Sequence, residues 1–189
     1  MEGKIIVISA PSGCGKSTII KKLTEIGTID FEFSVSATSR PPREGEIHGQ
    51  HYWFLSETEF RDAISRDEFV EYEEVYPGRF YGTLKSELQN KCDNGKNIIL
   101  DIDVKGAINV KNSFGNRALT VFIEPPSIEE LKKRLENRGT ETEDTLNARI
   151  GKAEFELSFA PRFDVRIVND DLDTAVRQTE KIIKEFIGG

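Results

Sequence analysis

The sequence predicts an α/β fold in which a parallel sheet is flanked by helices, with a small β-rich insertion and a mobile lid. Three observations carry that reading. Apolar runs at 4–8, 97–103, 118–123 and 164–168 are each followed by a helical pattern of apolar residues, the alternation that builds βαβ units. Residues 33 to 83 interrupt it with alternating, aromatic-rich segments divided by Pro and Gly turns. Residues 138 to 144 are too polar for a core, and with the charged helix that follows, to about Ser158, they read as a flap.

Lys4-Ile5-Ile6-Val7-Ile8 is the first strand, and the turn Ala10-Pro11-Ser12-Gly13-Cys14-Gly15-Lys16-Ser17 that follows opens a helix from Ser17 to about Glu25. This is a P-loop, which makes the sheet one of P-loop NTPase type. Backbone N–H groups of a tight turn and a helix N-terminus form a positively polarised nest for phosphate oxygens. Gly13 and Gly15 let the backbone close on a diphosphate, Lys16 reaches the β and γ phosphates, and the Ser17 hydroxyl is placed to ligate Mg²⁺. Ala10 stands where the full pattern has its first glycine and is the smallest replacement. Cys14 reads as a small filler, with the alternative that the helix dipole lowers its pKa and makes it oxidisable.

Phe31 to Ser36 alternates as a short strand and enters a loop, 37–46, in which Pro41, Pro42 and Gly45 forbid helix or central strand and Arg40 and Arg43 stand close together. Tyr52-Trp53-Phe54 is an aromatic strand. Ser56 starts a helix with Glu59 at the capping-box position and Phe60, Ala63 and Ile64 on one face. Phe69 to Tyr76 is a strand turned by Pro77-Gly78 into Arg79-Phe80-Tyr81-Gly82 and a helix from about Leu84 to Asp93. The strand at 97–103 is closed by Asp101 and Asp103, and a helix carrying Ala107, Ile108 and Val110 ends near Gly115. Glu124-Pro125-Pro126 stops the strand 118–123, and Ser127 caps a helix striped with Ile128, Leu131 and Leu135. After the strand at 164–168 come Asn169-Asp170-Asp171 and a last amphipathic helix. Ligands gather at the carboxyl ends of parallel strands, so Lys16, Asp101, Asp103 and Asn169 are expected on one rim.

Composition narrows the function classes. At 189 residues and 37% hydrophobic content the chain is one domain with a real core. Its net charge of −7 argues against a broad nucleic-acid or anionic-membrane surface, so an anionic substrate must meet a local basic cluster. The longest apolar runs are only a few residues, and the N-terminus reads as a strand rather than a signal peptide, so the expected location is cytoplasmic. Cys14 and Cys92 form no disulfide framework and have no histidine at metal-ligand spacing. Oligomeric state stays open between monomer and homodimer.

Asn90-Lys91-Cys92-Asp93 matches the guanine-reading N-K-x-D signature of GTPases, but it ends a polar helix instead of following a core strand, and reads as a solvated helix end. A nucleoside-monophosphate kinase fits better. Such an enzyme needs a P-loop for the donor, a pocket for the acceptor and arginines that converge on the transferring group. It needs no general base, since the acceptor is already an oxyanion, and His48 and His51 read as loop residues.

The chain resembles the guanylate kinases over essentially its whole length. The resemblance rests on the P-loop, Ser34-Val35-Ser36-Ala37-Thr38-Ser39-Arg40-Pro41-Pro42-Arg43, Gly45-Glu46, Gly49-x-x-Tyr52, Phe69-x-Glu71, Tyr81-Gly82-Thr83, Leu100-Asp101-Ile102-Asp103 and Arg134-x-x-x-Arg138-Gly139-Thr140-Glu141. It implies the reaction ATP + GMP to ADP + GDP with Mg²⁺. Implied catalytic groups are Lys16, Arg40, Arg134, Arg138 and Arg149, the last three as lid arginines. ATP would be held by Ala10 to Thr18 and by Asn169, which could equally be a helix N-cap. GMP would be held at its phosphate by Arg40, Arg43, Tyr52 and Tyr81, and at its base by Glu71, Ser36 and Thr83. Asp101 and Asp103 resemble the Walker-B-like strand-end acids, suited to Mg²⁺ through water or to orienting a phosphate-binding arginine, and are implied among the GMP-binding residues. The metal would sit at Ser17 with waters, and with Asp101 through water. The implied domain is 1–189, with core 1–32, 84–137 and 159–189, a GMP-binding insertion 33–83 and a lid 138–158. Two alternatives remain: a non-catalytic phosphopeptide-binding module on this fold, and a kinase of another small phosphorylated acceptor.

Overall fold

The computed structural model describes residues 2–136 and 143–188. Five strands, β1 (Ile5–Ser9), β2 (Glu32–Phe33), β7 (Ile98–Asp101), β8 (Ala118–Glu124) and β9 (Val165–Val168), form one sheet in the order β2-β7-β1-β8-β9. Every pairing in it is parallel. A second sheet, in the order β4-β3-β6-β5, joins β3 (Ala37–Thr38), β4 (Trp53–Phe54), β5 (Phe69–Tyr76) and β6 (Arg79–Leu84). The helices are α1 (Lys16–Ile26), α2 (Glu57–Ser65), α3 (Lys85–Asp93), α4 (Val104–Phe114), α5 (Ile128–Glu136), α6 (Glu143–Leu157) and α7 (Leu172–Gly188).

All five residues of β1 are buried because both faces of the large sheet are covered. Ile6 and Ile8 point into a layer with Ile19, Leu23, Leu131, Ala153 and Val176, from α1, α5, α6 and α7. Ile5 and Val7 point the other way, onto Leu88, Cys92, Val104, Ala107 and Val110 of α3 and α4. The small sheet has its own apolar cluster, in which Phe60 of α2 stacks on Phe69 at 4.3 Å and on Phe80 at 5.3 Å between ring centroids.

Local chemistry accounts for the ends. The Ser56 side chain accepts from Glu59 N while the Glu59 carboxylate accepts from Ser56 N, the expected capping box. Asp103 caps α4 by accepting from Gly106 N at 2.7 Å. Asn90 to Asp93 close α3, so the N-K-x-D match is the expected helix end, but it is not all solvated: Cys92 is fully buried and Lys91 half-buried.

One stretch departs from expectation. The strand expected over Phe31 to Ser36 is divided: only Glu32–Phe33 pairs with β7 at the edge of the large sheet. The chain then crosses over, and Ala37–Thr38, expected in a loop, pairs with both β4 and β6. The prolines take effect only from Pro41 on, because Thr38 still makes its ladder contacts and its hydroxyl donates to the Phe80 carbonyl at 2.9 Å.

Phe60 is fully buried, so Phe60→Ala leaves a cavity between two phenyl rings and should lower stability by about 3–5 kcal/mol. Urea denaturation followed by circular dichroism measures this, and a loss below about 1 kcal/mol would mean that the small sheet does not depend on that cluster.

Candidate active site

A first cavity, of about 400 Å³, opens over the turn between β1 and α1. Gly13 and Gly15 have φ of 96° and 86°, a left-handed backbone costly for other residues. A Cβ on Gly15 would also collide with the Asn169 amide. That amide donates to the Cys14 carbonyl at 2.8 Å, and the Asn169 carbonyl accepts from Arg134 Nη1 at 2.9 Å. Asn169 therefore braces the turn from behind. It is not an N-cap: Asp171 does that work at α7, accepting from Thr174 N at 2.9 Å.

Cys14 is the small filler that its sequence context suggests. Its side chain is fully buried in the core, and burial pushes the thiol up to about 12, overriding the nearby Arg134 charge. The oxidisable-thiolate alternative falls because desolvation in apolar surroundings disfavours the thiolate.

Lys16 forms an ion pair with Asp101, the last residue of β7. Ser17 and Thr18 are exposed on the first turn of α1. Opposite them the cavity is walled by Asp101, Ile102 and Asp103 and by Lys152 and Glu156 of α6. Ser9 Oγ fixes that wall by donating to the Ile102 and Asp103 carbonyls at 2.6 and 3.2 Å. Glu156 is 8% exposed, and burial raises its pKa above the usual carboxylate range. Ser17 and Asp101 are hard oxygen donors, and no cluster of three or more His, Cys, Asp or Glu able to hold a metal occurs among the described residues. This donor set fits a hydrated Mg²⁺ carried mainly on the phosphates of a ligand.

A second cavity, of about 700 Å³, lies against the small sheet and shares Asp101, Ile102 and Asp103 with the first. Ser36, Tyr52, Glu71 and Tyr81 line it, as the sequence reading required. Glu71 accepts from Thr83 Oγ1 at 2.6 Å, and burial raises its pKa despite that bond. Helix α4 approaches so closely that a Cβ on Gly106 would sit 2.9 Å from Glu71 Cγ, so glycine is required there for the carboxylate to keep its place. Thr83, 1% exposed, stands behind Glu71 rather than in the wall.

Arg40 is 7% exposed and gives both terminal nitrogens to Glu46, each at 2.6 Å, while Nε donates to the Tyr81 hydroxyl at 3.2 Å. Its guanidinium also lies over the Tyr52 ring at 5.1 Å. Arg40 and the Arg43 backbone N–H hold the Glu46 carboxyl down to about 2. Arg40 thus stands just behind Tyr52 and Tyr81, and Arg43 is exposed on the neighbouring loop. Sequence reasoning quoted Glu46 without a role; its partner shows one.

Arg134 borders a shallower hollow of about 290 Å³ with Asn169, Leu172, Gly13, Gly15 and Thr18. Arg149 lies exposed on α6, and Arg138 falls outside the described residues. Lys152 and Glu156 were missed. Their spacing of four puts them on one helical face, but in a segment so charged that signal is indistinguishable from solvated surface.

The family model "Guanylate kinase" matches residues 2–186. The guanylate kinase of Bacteroides fragilis is 54% identical over 187 residues, covering 99% of this chain and 91% of that protein. That of Porphyromonas gingivalis is 53% identical over 184 residues, covering 97% and 98%. Among solved structures, the guanylate kinase of Anaplasma phagocytophilum is 33% identical, covers 97% of this chain and 86% of its own, and superposes with a TM-score of 0.67. A match along almost the whole chain, at this identity and with the same fold, means that the chain belongs to the guanylate kinase family.

Proposed function

We propose that the two cavities are the donor and acceptor halves of one phosphoryl-transfer site, the first taking ATP with Mg²⁺ and the second GMP. The chain phosphorylates GMP at the expense of ATP, giving ADP and GDP. The observation that carries the reading is the shared wall: Asp101, Ile102 and Asp103 border both cavities, so ligands filling them meet end to end.

In this reading the backbone N–H groups of residues 12–17 cradle the donor phosphates, and Lys16 exchanges Asp101 for phosphate oxygens. Bound Mg²⁺ would be held by Ser17 and, through water, by Asp101, and supplies neutralisation of charge across the β and γ phosphates. Glu71 accepts from N1–H and the N2 amine of guanine, a donor pair that adenine lacks on that edge, with Ser36 beside O6 and Thr83 holding the carboxylate from behind. Arg40, Arg43, Tyr52 and Tyr81 fix the GMP phosphate, and Arg134, Arg138 and Arg149 close on the transferring group. Segments 33–83 and 138–158 serve as the acceptor lobe and lid, whose closure excludes water and spares the γ-phosphoryl from hydrolysis. Catalysis is then positioning and charge stabilisation, with no proton to remove. Intact Lys16, Ser17 and Asp101 favour this over a phosphopeptide module. The enzyme works on free nucleotides in the cytoplasm, as a monomer or homodimer; no helix among the described residues is long and apolar enough to cross a membrane.

Lys16→Met should lower kcat roughly a hundred- to a thousandfold with an unchanged melting curve. Near-normal turnover in a coupled ADP assay would sink the donor assignment. Glu71→Gln replaces one of two acceptors by a donor and should cost about tenfold or more in kcat/KM for GMP. If AMP, UMP and CMP then lost as much as GMP, Glu71 would not be the base reader. Only the ionised carboxylate accepts twice, and burial raises its pKa. The kcat/KM for GMP should therefore fall as pH drops, starting at a higher pH than an exposed carboxylate would impose. A flat profile through that range would remove the carboxylate from recognition.

A further inference from the structure

Glu87 is a buried carboxylate that the reaction as derived does not use. It lies on α3, 8% exposed, where three segments meet. Its Oε1 accepts from the Val35 backbone N–H at 3.4 Å and lies 3.4 Å from the Lys91 ammonium, one turn further on. Its Oε2 accepts from the Trp53 indole N–H at 3.3 Å. Lys91 in turn donates to the Phe33 carbonyl at 2.8 Å and lies 3.5 Å from the Glu32 carboxylate. One face of α3 therefore grips the link between β2, in the large sheet, and β3, in the small one. Lys91 is the lysine of the N-K-x-D match, and its partners are the link and not a base.

The link bears a second mark. The Ser34 hydroxyl is buried with no hydrogen-bond partner among the described residues. Buried polar groups are paired as a rule. An orphan hydroxyl beside two long hydrogen bonds marks a segment with another arrangement, in which these groups change partners or tighten. The residues next to the clasp line the acceptor cavity: Ser36 follows Val35, Tyr52 precedes Trp53, and Trp53 N donates to the Ser36 carbonyl at 2.9 Å.

We propose that Glu87 is a positioning residue for the acceptor: through Val35 and Trp53 it holds Ser36 and Tyr52 in the cavity wall and sets the hinge on which the small sheet turns when the monophosphate binds. The proposal rests on the GMP reading above. Glu87 touches no substrate itself. Without it the acceptor must order that wall at its own expense, which raises KM for GMP and leaves the chemical step alone.

Trp53 is the chain's single tryptophan, so its emission reads the clasp directly. GMP is titrated without ATP while emission is followed, and steady-state kinetics are run in parallel. Emission of the wild type should change on saturation. Glu87→Ala should raise both the GMP dissociation constant and KM for GMP about tenfold, with kcat within about twofold and KM for ATP unchanged. Glu87→Gln, which keeps one acceptor oxygen, should recover part of the loss. Trp53→Phe should raise KM for GMP as well, and the double variant should add little beyond the larger single effect. An unchanged or lowered KM for GMP in Glu87→Ala would overturn the proposal. So would equal losses in kcat and in both KM values that Glu87→Gln does not relieve. Wild type that binds GMP without turning it over would defeat the kinase reading alone, and the emission titration would still decide the clasp.

Discussion

Ile8 of β1 lies opposite Asp101 of β7 in a parallel pair, and that register positions the chemistry. Because the strands run together, their carboxyl ends finish at the same edge, and the turn leaving β1 meets the turn leaving β7. Lys16 reaches Asp101 for this reason, and Ser9 reaches the carbonyls of Ile102 and Asp103. Slipping the pair by one residue would turn Ile6 and Ile8 from one apolar layer to the other and separate the two turns. The core and the site are thus determined by one alignment.

An acidic chain must still present cations to phosphates, and the ion pairs show how. Lys16 is held by Asp101 in the wall of the first cavity, and Arg40 by Glu46 behind the tyrosines of the second. The pairs differ in kind. Lys16 is a point charge on a flexible stem, able to change partners. Arg40 is forked onto both oxygens of Glu46 and stacked near Tyr52, so it acts as a fixed post that orients the two tyrosines facing the cavity.

How much of this could be read beforehand depended on whether the cause was local. The P-loop, the Ser56 capping box, the Pro77-Gly78 turn and the strands β1, β7, β8 and β9 are written in contiguous residues, and they stand where expected. Glu71 and Tyr81 were placed by spacing within a resemblance, and they do share a cavity. The division of 31–38 between two sheets was not legible, since a continuous alternating pattern cannot say which sheet each half joins. Glu46, Glu156 and Lys152 were hidden for another reason. Glu46 reads as surface charge until its loop folds back onto Arg40, and Lys152 and Glu156 do so until a cavity gives them a task.

The small sheet has a core of its own. Its rings, Phe60, Phe69 and Phe80, pack on one another, apart from the two layers that sandwich the large sheet. Two continuous links tie it to the rest, the one after Phe33 and the one from Leu84 into α3, and α4 packs against β5. Both links converge on α3, which receives Val35 and Trp53 at Glu87 and begins at the end of β6. A body with its own core and joints gathered at one helix can rotate at little cost in packing, since few apolar contacts need part. The edge that carries Glu71 and Thr83 lies within that body, whereas Lys16 lies outside it. A turn of that sheet would therefore reshape the acceptor cavity, which is walled by Glu71 and Tyr81 on one side and by Asp101, Asp103 and Gly106 on the other, and leave the turn around Lys16 as it is.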